Sequence, residues 1–285
     1  MFIKIISIIS SLTLLSRVLG YLRDLLIAKV IGAGLVSDSF FIAFKLPNLF
    51  RRLFAEGSMN SAFIPVVSGV REKVGKIEAD QFFSKIFSML IIFLFFFVIL
   101  LEIFAPFVIS LIAPGFSEDS LKKELTIDFA RLTFPFLLFI CATSLIGAYL
   151  NTLGKFASMA LTPVILNLTI ITCLMIFFKN TDQTNITYYL SLSISIAGII
   201  QLVWMLYNLK RNTVSLSLFV FNKNRFRKPT NKFLKLLVPA ILGNGVYQLN
   251  LLIDMILAST LAHGSISFLY YADRVNQLPL GVLGI

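Results

Sequence analysis

The stretch FASMALTPVILNLTIITCLMIFF, from Phe156 to Phe178, contains no charged residue. A helix that crosses the hydrocarbon core of a bilayer needs about 20 mostly apolar residues, and this stretch is long enough. All of its backbone polar groups would be hydrogen-bonded within one helix, as the interior of a membrane requires. The stretch therefore predicts a transmembrane helix and places the chain among membrane proteins.

Further stretches of similar length and hydropathy lie on both sides of this one. We therefore predict an all-α, polytopic membrane protein with about eight transmembrane helices. The first is interpreted as a retained helix rather than a cleaved signal peptide, because Arg17, Arg23 and Asp24 interrupt its apolar run. The predicted helices lie near 3–31, 36–66, 82–113, 126–150, 156–178, 187–208, 233–262 and 266–285.

The composition agrees with a membrane location and argues against several classes of protein. Hydrophobic residues make up 58% of the 285 residues and charged residues only 14%, whereas soluble domains average about 25% charged residues. Cys141 and Cys173 each lie in an apolar run, which argues against a disulfide framework. One histidine, His263, and so few thiols do not support a zinc site.

Basic residues are concentrated in two connections, 68–85 and 209–235. The positive-inside rule therefore predicts that the N-terminus and the second of these connections face the cytoplasm. We divide the chain into an N-terminal lobe with helices one to six (1–210), a basic cytoplasmic connection (211–232) and helices seven and eight (233–285). The net charge of +11 suits anionic lipid headgroups, and we expect membrane lipids rather than nucleic acid as partners.

Charged residues inside the predicted helices are the main functional signal. An isolated charge at mid-bilayer costs roughly 2.5–3.5 kcal/mol on insertion scales, so such charges usually pair or face water. Apolar sequence flanks Arg17 and Arg23 on both sides, and we predict that they line an aqueous cavity. A second interpretation, in which side chains extend to the membrane surface, stays open for Lys4, Lys29, Arg51 and Arg52.

The last two predicted helices carry a second set of polar residues. Asn250 and Asp254 are four residues apart and share a helix face with Tyr247. The Asp254 carboxylate would either hold Na⁺ or H⁺ or accept hydrogen bonds in a buried network, and the sequence leaves both open. Breakers such as Pro47 and Pro279 interrupt the charged helices, which is a common feature of transporters.

A cavity lined by arginine favours an anionic ligand. The planar guanidinium forms bidentate hydrogen bonds with phosphate and does not deprotonate, so we expect a phosphorylated amphiphile. The residues alone do not distinguish a lipid-linked pyrophosphate from nucleotides, other anions or acidic drugs. No paired carboxylates for a metal and no nucleophile–base pair accompany the arginines, so the sequence does not predict an enzyme.

Motifs between Ser16 and Gly281 resemble those of the MurJ/MviN lipid II flippases and follow in the expected order. They are SRVLG at 16–20, RD at 23–24, DSFFIAF at 38–44, PNLFRRLFAEG at 47–57, AFIP at 62–65, GAYLN at 147–151, QLN at 248–250, ID at 253–254, GSIS at 264–267, YYADR at 270–274 and QLPLG at 277–281.

The resemblance implies a fold of the MOP exporter superfamily, in which two helical lobes enclose a cationic cavity. This chain would supply the first lobe and the start of the second. The substrate would be lipid II, the undecaprenyl-pyrophosphate-linked disaccharide-peptide precursor of peptidoglycan. It would be moved from the cytoplasmic to the outer leaflet of the bacterial inner membrane by alternating access.

The resemblance also assigns roles to residues. The substrate-binding residues would be Arg17, Arg23, Arg51 and Arg274. Carboxylates would pair with these arginines when the site is empty, and the gating or charge-pairing residues would be Asp24, Asp38, Arg52, Glu56 and Asp273. Asp254 would match a sodium ligand of some family members.

Two further functions remain open at this stage. One is a flippase for another polyprenyl-linked saccharide. The other is an inactive membrane remnant, because the chain stops at Ile285 within an apolar run and we expect it to be a fragment. No cofactor is implied, and coupling to Na⁺, to H⁺ or to the membrane potential would drive transport.

Overall fold

The computed structural model describes residues 2–53, 58–178, 181–217 and 225–283, with the backbone alone at 2–5, 247 and 277–283. All regular secondary structure in these ranges is helical. A short 3-10 helix, Pro114–Glu118, follows α5. The α-helices are α1 (Phe2–Ile31), α2 (Leu35–Leu53), α3 (Met59–Val74), α4 (Lys76–Ile103), α5 (Ala105–Ile112), α6 (Ser120–Thr133), α7 (Pro135–Thr152), α8 (Ala157–Ala160), α9 (Thr162–Phe177), α10 (Gln183–Arg211), α11 (Arg227–Ser259) and α12 (Ser265–Leu283).

Proline divides three of the predicted stretches into two helices each. Pro106, Pro135 and Pro163 lie in the first turns of α5, α7 and α9. Proline is tolerated there because the first residues of a helix have no acceptor for their N–H groups, and it disfavours helical backbone in the residue before it. The predicted stretches 82–113, 126–150 and 156–178 are therefore broken helices.

The all-helical membrane fold is confirmed, whereas the number of eight spans is not. Among the described residues, four segments are long and apolar enough to cross a membrane: Lys76–Ile103, Ser120–Thr152, Ala157–Phe177 and Gln183–Arg211. A fifth is added if Arg227–Val246 and Gln248–Ser259, which meet at 41°, form one bent span. Helix α2 does not qualify by composition, because Asp38, Lys45, Arg51 and Arg52 all lie in it.

Two buried apolar clusters hold the helices together. The first extends from α1 and α2 to α10 and includes Met255 and Ile266 of the last two helices. The second joins α3, α4, α7 and α10 and includes Phe233 of α11. Helices α11 and α12 therefore pack against the first ten helices. By contrast, the most apolar 18-residue stretch, which lies within Lys76–Ile103, has a mean hydropathy of 3.0, and only 28% of its residues are buried in protein, so the rest suit lipid contact.

Aspartates cap two helices, α6 and α10, at their N-termini. The Asp119 carboxylate accepts a hydrogen bond from the backbone N of Lys122 (3.1 Å) and begins α6. The Asp182 carboxylate accepts bonds from the side chain (2.5 Å) and backbone (3.2 Å) of Asn185 and begins α10. These bonds lower the pKa of Asp182, so its cap stays ionised at neutral pH and is lost only as the pH falls through that lowered pKa.

The 3-10 helix makes a close contact with the end of α11 at Gly115. The backbone N of Gly115 donates a hydrogen bond to the Ser259 hydroxyl at 3.2 Å. A Cβ atom at this position would lie 2.2 Å from the backbone oxygen of Ser259. Only glycine allows the two segments to approach this closely.

We expect Gly115→Ala to lower the thermal unfolding temperature of the detergent-purified protein. The backbone of α11 would have to move away, which costs about 1–3 kcal/mol for overpacking. Gly69→Ala in α3 is the matched control, because an added Cβ there has no atom within 4 Å. Helix propensity predicts a gain of up to about 1 kcal/mol for that control. Equal unfolding temperatures for the two variants would contradict the close contact.

Candidate functional site

A cavity of about 910 Å³ lies between α1, α2 and α12 on one side and α3 and α7 to α10 on the other. All four arginines predicted to bind substrate line it, together with Arg52. Asp24 is the only carboxylate among the described lining residues. The cavity is therefore strongly cationic, and charge of one sign in a cleft concentrates ligands of the opposite sign. Its arginines are Arg17, Arg23, Arg51, Arg52 and Arg274.

Asp24 bridges two of these arginines. Its Oδ1 accepts from Nη2 and Nε of Arg23 at 2.7 and 2.9 Å, and its Oδ2 lies 3.1 Å from Nε of Arg274. The side chains of Arg23 and Asp24 are 7% and 5% exposed, whereas that of Arg274 is 27% exposed. The Tyr270 hydroxyl also donates to Oδ1, at 3.1 Å. One carboxylate thus joins α1 to α12 and neutralises part of the charge of two guanidinium groups.

An uncharged residue fixes the orientation of Arg23. Asn167 of α9 accepts from Nη1 of Arg23 at 2.9 Å, and its Nδ2 donates to the backbone oxygen of Ser16 at 2.9 Å. Asn167 is not among the residues predicted from the sequence to line the site. The only indication in the sequence is that its amide side chain lies in the stretch 156–178, which otherwise has the composition of a membrane helix.

The other cavity arginines differ in what holds them. Arg17 is exposed and makes no ion pair with any residue that the structure describes. The Nε of Arg51 donates to Asn48 Oδ1 at 3.0 Å, within α2. Arg52 lines the cavity, but Glu56, its expected partner, lies outside the described residues. Arg17 is therefore the cavity guanidinium most available to a ligand.

Asp38 lies in a different place from the one expected. We expected it to pair with the cavity arginines, but its Oδ2 lies 3.1 Å from Nζ of Lys122. The same carboxylate accepts hydrogen bonds from the backbone N atoms of Gly264 (2.7 Å) and Ser267 (2.9 Å) and from the Ser267 hydroxyl (2.7 Å). Asp38 is 1% exposed. It therefore binds the first turn of α12, where the helix dipole favours an anion.

A second cavity of about 590 Å³ lies between α2, α11 and α12. Asp254 and Asp273 line it together with Lys45, and Arg52 and Arg274 line both cavities. No group of three or more His, Cys, Asp or Glu side chains that could hold a metal ion occurs in the part of the chain that the structure describes. Transporters bind Na⁺ largely through backbone carbonyl and other neutral oxygens, so the sodium role that the resemblance implies for Asp254 stays a prediction.

Comparison with known families and proteins gives a consistent result. The family model described as "Lipid II flippase MurJ" matches residues 27–285. A protein of Rickettsia prowazekii (strain Madrid E) named "Probable lipid II flippase MurJ" is 39% identical over 277 residues, which cover 97% of this chain and 53% of that protein. One of the same name from Rhizobium tropici is 38% identical over 276 residues, which cover 96% of this chain and 51% of that protein.

A solved structure is also similar to the chain. It is titled "Lipid II flippase MurJ, inward closed conformation" and superimposes with a TM-score of 0.79 at 32% sequence identity. The match covers 96% of this chain and 55% of the solved one. The chain thus spans about half the length of the relatives that it matches.

We expect Asp24→Asn to destabilise the protein, because Arg23 and Arg274 would lose the carboxylate that they share. Removing one partner from a buried ion pair costs about 3–5 kcal/mol, and partial exposure of Arg274 places the effect near the lower figure. The measurement is the thermal unfolding temperature in detergent. Asp182→Asn is the control, since asparagine also caps helices and little change is expected. Unfolding of Asp24→Asn at the wild-type temperature would show that the bridge contributes nothing to stability.

Proposed function

The chain belongs to the lipid II flippase MurJ family, and we propose that it forms the diphosphate-binding part of a lipid II flippase. The substrate is the undecaprenyl-pyrophosphate-linked disaccharide peptide, which moves from the cytoplasmic to the outer leaflet. The observation that carries the proposal is the cavity, which five arginines line with a single carboxylate, Asp24, among the described residues. Because the chain spans about half of its relatives, the proposal concerns the chain together with the remaining segment of such a protein.

The arginines provide the chemistry that a diphosphate needs. Each guanidinium offers parallel N–H donors that match two phosphate oxygens, and its charge persists at any physiological pH. Arg17, which has no described ion-pair partner, makes the first contact. Phosphate oxygens then replace Asp24 at Arg274, whose side chain is the more exposed of the two that Asp24 binds. The polyprenyl chain stays in the lipid throughout.

No covalent bond is made or broken in this process, so the protein acts as a transporter rather than an enzyme. To bind and release the substrate, the arginines exchange one anionic partner for another, and the protein changes between a state open to the cytoplasm and a state open to the outside. The membrane potential provides about 2.3 kcal/mol per elementary charge per 100 mV, which is sufficient to bias the position of a charged cavity. Coupling to a cation at Asp254 stays a prediction, and no step of this proposal depends on it.

Asp38 closes one end of the pathway in this proposal. It lies about 20 Å from Arg51 along α2, given a rise of about 1.5 Å per residue. Its bonds to Gly264, Ser267 and Lys122 hold α2, α6 and α12 together at that end. With the N-terminus and the connection 211–232 at the cytoplasmic face, the Asp38 contact is the outer gate. Segments 1–210 and 233–285 separate there when the substrate leaves.

The function is tested by depleting the native lipid II flippase of a bacterium and scoring lysis. The chain is expressed alone and fused to the remaining helices of a relative. We expect the fused protein to prevent lysis. Rescue by the chain alone would also support the function and would show that the present helices suffice. Lysis with both proteins, each verified in the membrane, would overturn the assignment of lipid II as substrate.

We expect Arg17→Ala to weaken rescue by the fused protein. Loss of a charge-assisted hydrogen bond costs about 1.5–3 kcal/mol, which corresponds to roughly 10- to 100-fold in substrate affinity. The measurement is the amount of fused protein required to prevent lysis. Arg211→Ala, which removes an exposed arginine outside the cavity, is the control and leaves rescue intact. Full rescue by Arg17→Ala at wild-type protein amounts would remove Arg17 from the substrate site.

We expect Asp38→Asn to favour the outward-open state, because the variant loses its ion pair with Lys122. A reporter cysteine replaces the buried Ser37 and is labelled from outside intact cells with a membrane-impermeant maleimide. Cys141 and Cys173 are buried and give little background. We expect labelling of the reporter cysteine to rise about tenfold in Asp38→Asn if the lost contact with Lys122 stabilised the closed gate by roughly 1.4 kcal/mol. Asp128→Asn, which alters a contact with Tyr188, is the control, and unchanged labelling in Asp38→Asn would contradict the gate.

A further inference from the structure

One wall of the 910 Å³ cavity is uncharged and rich in amide side chains. This amide wall consists of Asn60 of α3, Asn151 of α7, Thr162 and Asn167 of α9, and Gln201 of α10. The arginines lie on α1, α2 and α12. The cavity therefore combines a cationic side with a neutral side that can both donate and accept hydrogen bonds.

Two acceptors on the amide wall have no hydrogen-bond partner among the described residues. Gln201 is 1% exposed, and its Nε2 donates to the backbone oxygen of Thr162 at 2.7 Å, while its Oε1 accepts nothing. The Oδ1 of Asn151 is also buried and unpartnered. Buried polar atoms in proteins are nearly always hydrogen-bonded, so each exception calls for a reason. A ligand that brings hydrogen-bond donors into the cavity would satisfy these two acceptors.

Neighbouring contacts hold the amide wall in place. The indole N–H of Trp204 donates to the backbone oxygen of Ser158 at 3.0 Å, and the Ser158 hydroxyl donates to Asn208 at 2.9 Å. These bonds tie α10 to α8. Asn167 joins the wall to the arginines, because it bonds to Arg23. The unpartnered acceptors therefore belong to a preorganised surface, which lowers the entropic cost of binding.

We propose that the amide wall binds the sugar that is attached to the diphosphate. The inference rests on the proposed function, and it names the part of the substrate that this side of the cavity recognises. The sugar is bonded directly to the diphosphate, so a surface beside the phosphate-binding arginines meets it first. Its hydroxyl groups supply the donors that Gln201 and Asn151 lack. The carboxylates of a peptide would find no cation on this wall.

The test measures binding of two radiolabelled lipids to the immobilised, detergent-purified fused protein, in which the chain is joined to the remaining helices of a relative. The probes are undecaprenyl diphosphate and undecaprenyl diphosphate that carries the disaccharide peptide. We expect the wild type to bind the glycosylated lipid more tightly. Gln201→Met removes the amide at nearly constant volume. It weakens binding of the glycosylated lipid about three- to tenfold, the effect of one neutral hydrogen bond, and leaves binding of undecaprenyl diphosphate unchanged.

Gln248→Met is the matched control. Gln248 is also buried and also has an unpartnered Oε1, but it lines the second cavity, so neither affinity changes. Asn151→Leu provides a second test on the amide wall if Gln201→Met does not fold, and the same selective loss is expected.

The possible outcomes separate the sugar subsite from the phosphate site. Equal wild-type affinity for the two lipids, or an equal loss of both in the Gln201 and Asn151 variants, would overturn the sugar subsite and leave the arginine site standing. Binding of neither lipid by the wild type would overturn both proposals. A selective loss for the glycosylated lipid, absent from Gln248→Met, supports the amide wall as the sugar subsite.

Discussion

The carboxylate that Arg23 and Arg274 share is the interaction on which the cavity depends. Without an anion, two guanidinium groups at the wall of a membrane-embedded cavity would repel each other and would lack partners for their N–H groups. Asp24 supplies that anion from α1, and each of its oxygens bonds to a different arginine. It thereby joins the first and last helices of the chain. Of the two arginines, Arg274 is the more exposed, and in the proposed function a phosphate replaces the carboxylate there.

Much of the fold could be predicted from the sequence, because the bilayer restricts a spanning backbone to few structures. A charge-free stretch such as 156–178 has to be helical if it lies in a membrane. The breaks were harder to predict. Pro106, Pro135 and Pro163 mark them, but proline is also accepted within α2 and α3, so the residue type alone does not decide between a kink and a new helix. Helix α2 was predicted from the length of its largely apolar stretch, although it contains too many charged residues to qualify as a membrane span by composition.

The candidate site could be predicted only in part. Arginine within apolar sequence is costly, and that cost led to Arg17 and Arg23 before any contact was known. The residues that bind these charged side chains from distant parts of the chain could not be predicted in the same way. Lys122 lies 84 residues from Asp38 and had the appearance of an ordinary loop lysine. Asn167 contributes nothing to helix periodicity or charge. Which side chains meet between two packed helices depends on the relative register and rotation of the helices. Neither can be deduced from a single sequence.

Carboxylates from two other helices hold α12 at two points along its length. Asp38 binds its first turn, and Asp24 binds Arg274 about two turns further on. A helix restrained at two points can neither tilt nor rotate, whereas one restrained at a single end can pivot. In the proposed mechanism, exchange of Asp24 for an incoming anion at Arg274 removes the second of these carboxylate contacts and leaves the first. That mechanism implies an order of events: occupancy of the cavity lets α12 pivot about its N-terminus before the Asp38 contact is itself released.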